Sequence, residues 1–274
     1  MYSVSAQVND VEVAKHNLIT PDFNADVVGL SDVLASPAGR EIKLLYLCSP
    51  GNPTGKLIDP AAVEEVLAHP TWNGVVVVDE AYVDFSAEGS SLAPWVTEFP
   101  NLVVMQTLSK AFGLAGIRLG AAFTSPEIAK ILNSLKAPYS ISTPTSALAT
   151  VALGEEGLKL QREKVAAVAI ERERLVKELP KIEGVGKFLG GFDANFLLAE
   201  MLDKAGKPCN EVALKVYEML AETKGVVVRF RGKEYGCTGC LRMTVGTKEE
   251  NTILLERLAD VLKEVGKILV IADA

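Results

Sequence analysis

The sequence predicts an α/β protein: a mostly parallel sheet covered by helices, followed by a smaller C-terminal α+β unit. Three observations predict it. Short apolar runs alternate with helix-like segments through the first half of the 274 residues. One of those runs, Val75–Val78, is four valines in a row, the pattern of a strand buried on both faces, as in parallel sheets. After about Thr143 the texture changes to long charged helices with strands between them.

In chain order, "DVEVAKHNL" (10–18) reads as a short strand with its surroundings and "SDVLASPAG" (31–39) as a short helix. "IKLLYLCS" (42–49) is a strand that runs into the turn "PGNPTG". "DPAAVEEVLAHP" (59–70) has helix-start grammar, with Asp59 as N-cap and Pro60 at the first helical position. "GVVVVDEAYVDF" (74–85) opens as a strand, and "NLVVMQTLSK" (101–110) and "RLGAAFTS" (118–125) are two more. "SPEIAKILNSLKAP" (125–138) is a helix capped by Ser125, with Pro126 at its start. Segment 145–154 is a helix, and 155–182 is a long amphipathic helix that connects to a second unit. That unit has a glycine-rich entry at Gly184–Gly191, strands near 193–201, 225–232 and 240–247, and helices near 209–223 and 248–267. The expected division is 1–154, 155–182 and 183–274, with no internal repeat.

Bulk properties narrow the function. Twenty-eight basic against 35 acidic residues give a net charge of -7, which offers nucleic acid no basic surface. No apolar run reaches the ~18 residues of a membrane span, and the N-terminus lacks the pattern of a secretory leader, so a cytoplasmic protein is expected. Cys237 and Cys240 form a CxxC, but Cys48 and Cys209 stand alone, so no second zinc-binding pair is in view. The pair leads into a strand rather than a helix, which argues against a thioredoxin-like site. His16 and His69 are the only histidines and neither sits in a motif, so no metal site or histidine-based triad is expected. "GNPTGK" (51–56) has three residues between its glycines where a P-loop has four, and Leu57 stands where the loop needs Ser or Thr.

Polar residues cluster where the strands stop, which is where open α/β sheets build their sites. Asn52 follows the first strand of this set, Asp79 and Tyr82 the valine run, and Lys110 the run 101–106. A lysine with a shifted pKa suits imine chemistry with an aldehyde. Thr107, Ser109 and Arg118 offer hydroxyls and a planar guanidinium to a single phosphate. An aldehyde with a ring nitrogen that a carboxylate can keep protonated, a ring hydroxyl and a phosphate is pyridoxal 5'-phosphate.

The stretches "SPGNPTG", "VVVVDEAYVDF", "TLSKAFGLAGIRLG" and "CLRMTVGT" resemble the fold-type-I aminotransferases. "LKAPYSIS", "DANFLL" and "GVVVRFRGKEYGCTGCLRMTVGTKEEN" make the chain most similar to the fungal-type histidinol-phosphate branch, over nearly its whole length and in the family's order. The resemblance implies that Lys110 holds the cofactor and moves the proton at the substrate Cα. It implies that Asp79 pairs with the pyridinium nitrogen, that Tyr82 and Asn52 bond the ring oxygen, and that Thr107, Ser109 and Arg118 hold the phosphate. Arg242 matches the residue that grips the α-carboxylate of glutamate, and Arg229 one near the phosphate of the phosphorylated imidazole amino alcohol; for Arg229 and Arg231 the competing reading is a surface arginine on a strand. A homodimer is implied for full-length members, and a cis Asn52–Pro53 bond is expected.

One departure qualifies the match. Met1 aligns inside the large domain, just after a "PTYG"-like turn, so the family's N-terminal arm and one side of its cofactor pocket have no counterpart here. The expectation is a chain that lacks stability or activity without upstream residues. The rival functions are an aromatic or other amino-acid transaminase, a decarboxylase of a phosphorylated amino acid, and a non-catalytic fragment.

Overall fold

The computed structural model describes residues 2–272. Helix α1 (Tyr2–Val8) leads by an extended segment to α2 (Val27–Ala35), whose N-cap Asp26 accepts from Gly29 N–H. Strands β1 (Leu44–Cys48), β2 (Val75–Asp79), β3 (Leu102–Thr107) and β4 (Gly120–Thr124) form one sheet in that order. β1, β2 and β3 pair in parallel, with Cys48 opposite Asp79 and Asp79 opposite Met105.

Helix α3 (Pro60–Leu67) crosses between β1 and β2, its start capped by Asp59 accepting from Ala61 N–H as the sequence grammar requires. It buries Val63, Val66 and Leu67 on the sheet with Leu30, Leu34, Trp72, Val76, Val78, Leu102 and Val104.

Strand β4 runs antiparallel to β3, with Gly120 opposite Thr107. The connection 108–119 holds only a 3₁₀ turn, Ala115–Ile117, and so lacks the crossover helix that a parallel return needs. Helix α4 (Pro126–Leu135) starts at Pro126 as expected, but the Ser125 hydroxyl makes no cap; it donates to Pro100 O and ties the end of β4 to the start of β3. The expected strand at 10–18 is absent. A strand exists only with a ladder partner, and the one bridge nearby joins Ile19 to Asn24.

Helices α5 (Thr143–Ala152) and α6 (Glu155–Glu178) lead to a second sheet. Its strands are β5 (Val185–Leu189), β6 (Phe196–Met201), β7 (Arg229–Phe230) and β8 (Cys240–Thr244), ordered β5-β6-β8-β7 and antiparallel throughout. The glycine-rich entry is itself a strand, β5, which pairs with β6 through a register shift between Val185 and Phe188. Helices α7 (Asn210–Glu222) and α8 (Lys248–Ala272) cover one face, where Leu197, Ala199, Met201, Leu241 and Met243 meet Val216, Leu220, Leu258 and Val261. Strand alternation turns Phe196, Leu198 and Arg242 to the opposite face, toward the first sheet.

The two sheets are joined at several points. Arg172 of α6 donates through Nη1 to Phe85 O at 3.2 Å and to Ala194 O at 2.7 Å. Ser86 Oγ donates to Asp193 O at 2.9 Å, and Leu57 N–H donates to Asp193 Oδ2 at 3.1 Å. Gly190 has φ +77, and a Cβ there would lie 2.0 Å from Thr54 O, so only glycine lets this segment dock on the 51–57 turn. Tyr82, Phe85, Ala194 and Phe196 fill the junction.

Candidate active site

Three parallel strands end at one rim, and their last residues are polar. β1 runs into Ser49–Lys56, a turn closed by Gly51 N–H on Lys56 O and Gly55 N–H on Gly51 O. Within it the Asn52–Pro53 bond is cis, as expected, and so is Ser49–Pro50; Thr20–Pro21, far upstream, is cis as well. Asn52 itself is exposed on the rim.

Asp79 is the last residue of β2, and its Oδ1 accepts from Ala81 N–H at 3.0 Å. Its other oxygen accepts from the Tyr2 hydroxyl, whose ring lies 4.6 Å from that of Tyr46. Burial, with Asp79 adding, raises the Tyr2 phenol far above its ordinary pKa, so it stays a donor. Burial, reinforced by Asp79, also pushes the neighbouring Cys48 thiol up to about 11.

The turn after Asp79 is held from below. Glu80, only 2% exposed, accepts from Ser91 Oγ at 2.6 Å, Leu92 N–H at 2.6 Å and Gln106 Nε2 at 2.9 Å. A buried carboxylate is tolerated when it is satisfied in this way. Its backbone N–H donates to Met105 O, which locks the turn to β3 and fixes where Tyr82 projects.

Tyr82 is buried edge-on to Phe196, with ring centroids 5.0 Å apart. Lys110, past the end of β3, is exposed and stands with Nζ 5.2 Å from the Tyr82 ring centroid, within cation–π range. Thr107 Oγ1 donates to Ser109 Oγ at 3.0 Å and accepts from Ser109 N–H at 3.1 Å, so the two hydroxyls form one small cup beside that lysine. Arg118 enters the same rim because β4 is antiparallel. Its backbone is left-handed, at φ 54, and its Nη1 donates to Ala115 O at 2.9 Å instead of reaching the cup.

From the second sheet, Arg242 reaches across. Its Nη1 donates to Asn52 Oδ1 at 2.8 Å, and its guanidinium stacks 4.8 Å from the Phe196 ring centroid. Burial holds the guanidinium below its ordinary pKa; Tyr82 opposes this, while the charges of Arg231 and Arg229 push the same way. Arg229 is the register partner of Arg242 and is exposed.

The structure therefore sets Tyr82 and Arg242 against Phe196, with Lys110 beside Tyr82 and Asn52 bonded to Arg242, and puts Asp79 and the Thr107–Ser109 cup on the same rim. Arg118 and Arg229 are neighbours whose guanidiniums do not bond that group. Sequence reasoning missed Tyr2, Glu80 and Phe196. Glu80 had a weak signal in the acidic doublet after a buried strand, Phe196 only its place in an alternating run, and Tyr2 none.

The donor set fits the expected cofactor. Asp79 already accepts from a phenol O–H and can accept in the same way from a ring N–H, an amine lies beside Tyr82, and paired hydroxyls sit next to that amine. Among the described residues no cluster of His, Cys, Asp and Glu is arranged to hold a metal ion, and no helix is long and apolar enough to cross a membrane.

The family model described as "Aminotransferase class I and II" matches residues 1–258. The chain is 53% identical over 266 residues to histidinol-phosphate aminotransferase of Schizosaccharomyces pombe, covering 96% of this chain and 68% of that protein. It is 48% identical over 272 residues to that of Candida maltosa, covering 97% and 68%. The chain thus spans about two thirds of the length of these curated relatives. Its fold is similar to the crystal structure of histidinol-phosphate aminotransferase from Sinorhizobium meliloti in complex with pyridoxal-5'-phosphate, at a TM-score of 0.81 and 22% identity, covering 96% of this chain and 68% of that one.

Proposed function

Because the chain belongs to the class I and II aminotransferases, we propose that it is a pyridoxal-phosphate transaminase of histidine biosynthesis. It would exchange an amino group between glutamate and imidazole-acetol phosphate, giving 2-oxoglutarate and histidinol phosphate. The observation that carries the reading is the convergence at one rim of Lys110, Tyr82, Asn52 and Asp79, with Arg242 facing them from the second sheet. Identities of 48–53% to the fungal relatives favour this substrate pair over an aromatic or other amino-acid transaminase of the same fold.

The bound cofactor supplies an electron sink, and the chain's residues do the rest. Lys110 is exposed at the rim, placed to hold the cofactor and to move the proton at the substrate Cα. Asp79 would keep a ring nitrogen protonated, its place fixed by Ala81 N–H and, through the turn, by Glu80. Asn52 and Tyr82 would orient the ring oxygen. Thr107 and Ser109 would receive the phosphate, and Arg118, whose Nη1 donates to Ala115 O, would offer it a guanidinium. Arg242 offers its fork to the α-carboxylate, with Phe196 supporting the guanidinium plane.

The domain division 1–154, 155–182 and 183–274, a homodimeric assembly and a cytoplasmic setting complete the reading. Four free cysteines suit a reducing compartment.

The test is spectroscopic and kinetic. Pyridoxal phosphate added to the protein should give a visible absorbance band, and borohydride followed by peptide mass analysis should place the label on Lys110. Lys110→Ala should lose both label and turnover. Asp79→Ala should retain some cofactor but lose most of the rate. Turnover at the unsubstituted level in either variant refutes the assignment.

A further inference from the structure

Tyr2 reaches the candidate site from outside the two sheets. It opens α1, a helix with no buried residue, whose Val4 and Val8 are 56% and 80% exposed, so apolar packing does not hold α1 against the sheet. What holds Tyr2 is its own side chain. The ring lies 4.6 Å from that of Tyr46 on β1, and the hydroxyl donates to Asp79 Oδ2, 77 residues along the chain.

Two donors approach Asp79, and they take different oxygens. Ala81 N–H donates to Oδ1 at 3.0 Å and the Tyr2 hydroxyl to Oδ2. A carboxylate with one donor turns easily about its Cβ–Cγ bond, whereas a donor on each oxygen sets its plane. An ionised carboxylate has about four lone-pair sites, so both oxygens keep room for a third donor. Tyr2 stays on the giving side of this bond, because burial, with the bond to Asp79 adding, raises its phenol far above the ordinary pKa. Cys48, the register partner of Asp79, is likewise kept neutral by burial. Neither neighbour brings a positive charge that would compete with a protonated ring for Asp79.

We propose that Tyr2 is a positioning residue of the cofactor site: it remains bonded to Asp79 when the cofactor is seated, and holds the carboxylate in the plane that receives the ring N–H. This rests on the transaminase reading above. A departing phenol would leave a partly buried O–H unpaired and give up its contact with Tyr46, while the carboxylate accommodates both donors.

The test titrates the full chain with two cofactors, pyridoxal phosphate and deazapyridoxal phosphate, which carries C–H where the ring nitrogen stands. The parent should bind the first more tightly, since only that ring offers Asp79 an N–H. Tyr2→Phe keeps the aromatic ring and removes the hydroxyl, and because α1 buries no residue the substitution does not threaten the fold. It should weaken pyridoxal phosphate roughly tenfold and leave the deaza analogue within about twofold. At saturating cofactor its loss should fall on kcat and leave KM for glutamate unchanged. In an Asp79→Ala background, Tyr2→Phe should cost nothing further. Val4→Ala, exposed on the same helix, should change nothing.

Tighter binding of pyridoxal phosphate in Tyr2→Phe overturns the proposal, by showing that the phenol competes with the ring for Asp79. Equal weakening of the two cofactors overturns it as a packing effect, and so does a matching loss in Val4→Ala. A parent that binds both cofactors equally removes Asp79 from the ring nitrogen; the site reading then fails first, and this inference with it.

Discussion

Arg242 and Asn52, 190 residues apart in the chain, are joined by a 2.8 Å hydrogen bond from Nη1 to Oδ1. The guanidinium expected to grip the substrate carboxylate and the amide expected to face the cofactor ring therefore form one unit. Arg242→Lys should lower kcat/KM for glutamate by about 1.5–3 kcal/mol, the range for a bond to a charged group. Combined with Asn52→Ala, the losses should be non-additive by about 0.5–3 kcal/mol. Strictly additive losses in that double-mutant cycle would show two independent contacts.

Arg172 is the other long-range tie, bonding a carbonyl of the turn after β2 and one just before β6 through one nitrogen. Burial holds it below its ordinary pKa, with Asp193 and Glu173 opposing. Arg172→Met keeps much of the packing and strands two carbonyls, so unfolding free energy should drop by about 2–4 kcal/mol. Urea melts followed by tryptophan fluorescence would read it, and an unchanged midpoint would contradict the clamp.

The buried thiols make an alkaline prediction. Burial pushes Cys237 up to about 11 and Cys240 up to about 12, against about 8.5 for a free thiol. Unfolded thiols thus release protons that folded ones keep, so their contribution is complete below about pH 8.5 and is lost as pH rises toward 11–12. Stability between pH 8.5 and 11 should fall less steeply in the Cys237→Ala, Cys240→Ala double variant than in the parent. Parallel slopes in urea melts would count against it.

The surface of α4 and α5 carries the fourth prediction. Leu135 is 78% exposed, Tyr139 100% and Val151 73%, with Ile131 and Leu132 beside them. Exposed apolar side chains of this kind drive association. Residues 1–274 should scatter light above a monomer's level. Leu135→Glu with Val151→Lys should reduce that scattering with little change in melting temperature, because the side chains are already in solvent. A monodisperse monomer before substitution would refute the prediction.

Elements with local grammar were legible before any coordinates. Asp59 and Pro60 start α3 where their types require, and the four valines are β2. Strand ends carrying Asn52, Asp79 and Lys110 lie at one rim because parallel strands bring their carboxyl ends together. What failed depended on partners distant in sequence. The 10–18 run alternates like a strand but finds no ladder, and β5 was hidden by glycines although β6 recruits it. Ser125 resembles a cap, yet a carbonyl 25 residues away takes its hydroxyl. Phe196 and Tyr2 act in the site only through tertiary contact, which no local pattern encodes.

The reversed direction of β4 bears on how the site can change. Because this strand starts at the rim and runs away from it, both ends of segment 108–119 are anchored to the sheet at one place, by Thr107 opposite Gly120. Lys110 and Arg118 ride on that single excursion. Its length and composition can drift, or be replaced wholesale in the laboratory, without disturbing the register of the strands beneath, since loop closure varies only slowly with length. The amine proposed to hold the cofactor and the guanidinium eight residues later thus travel together on one loop.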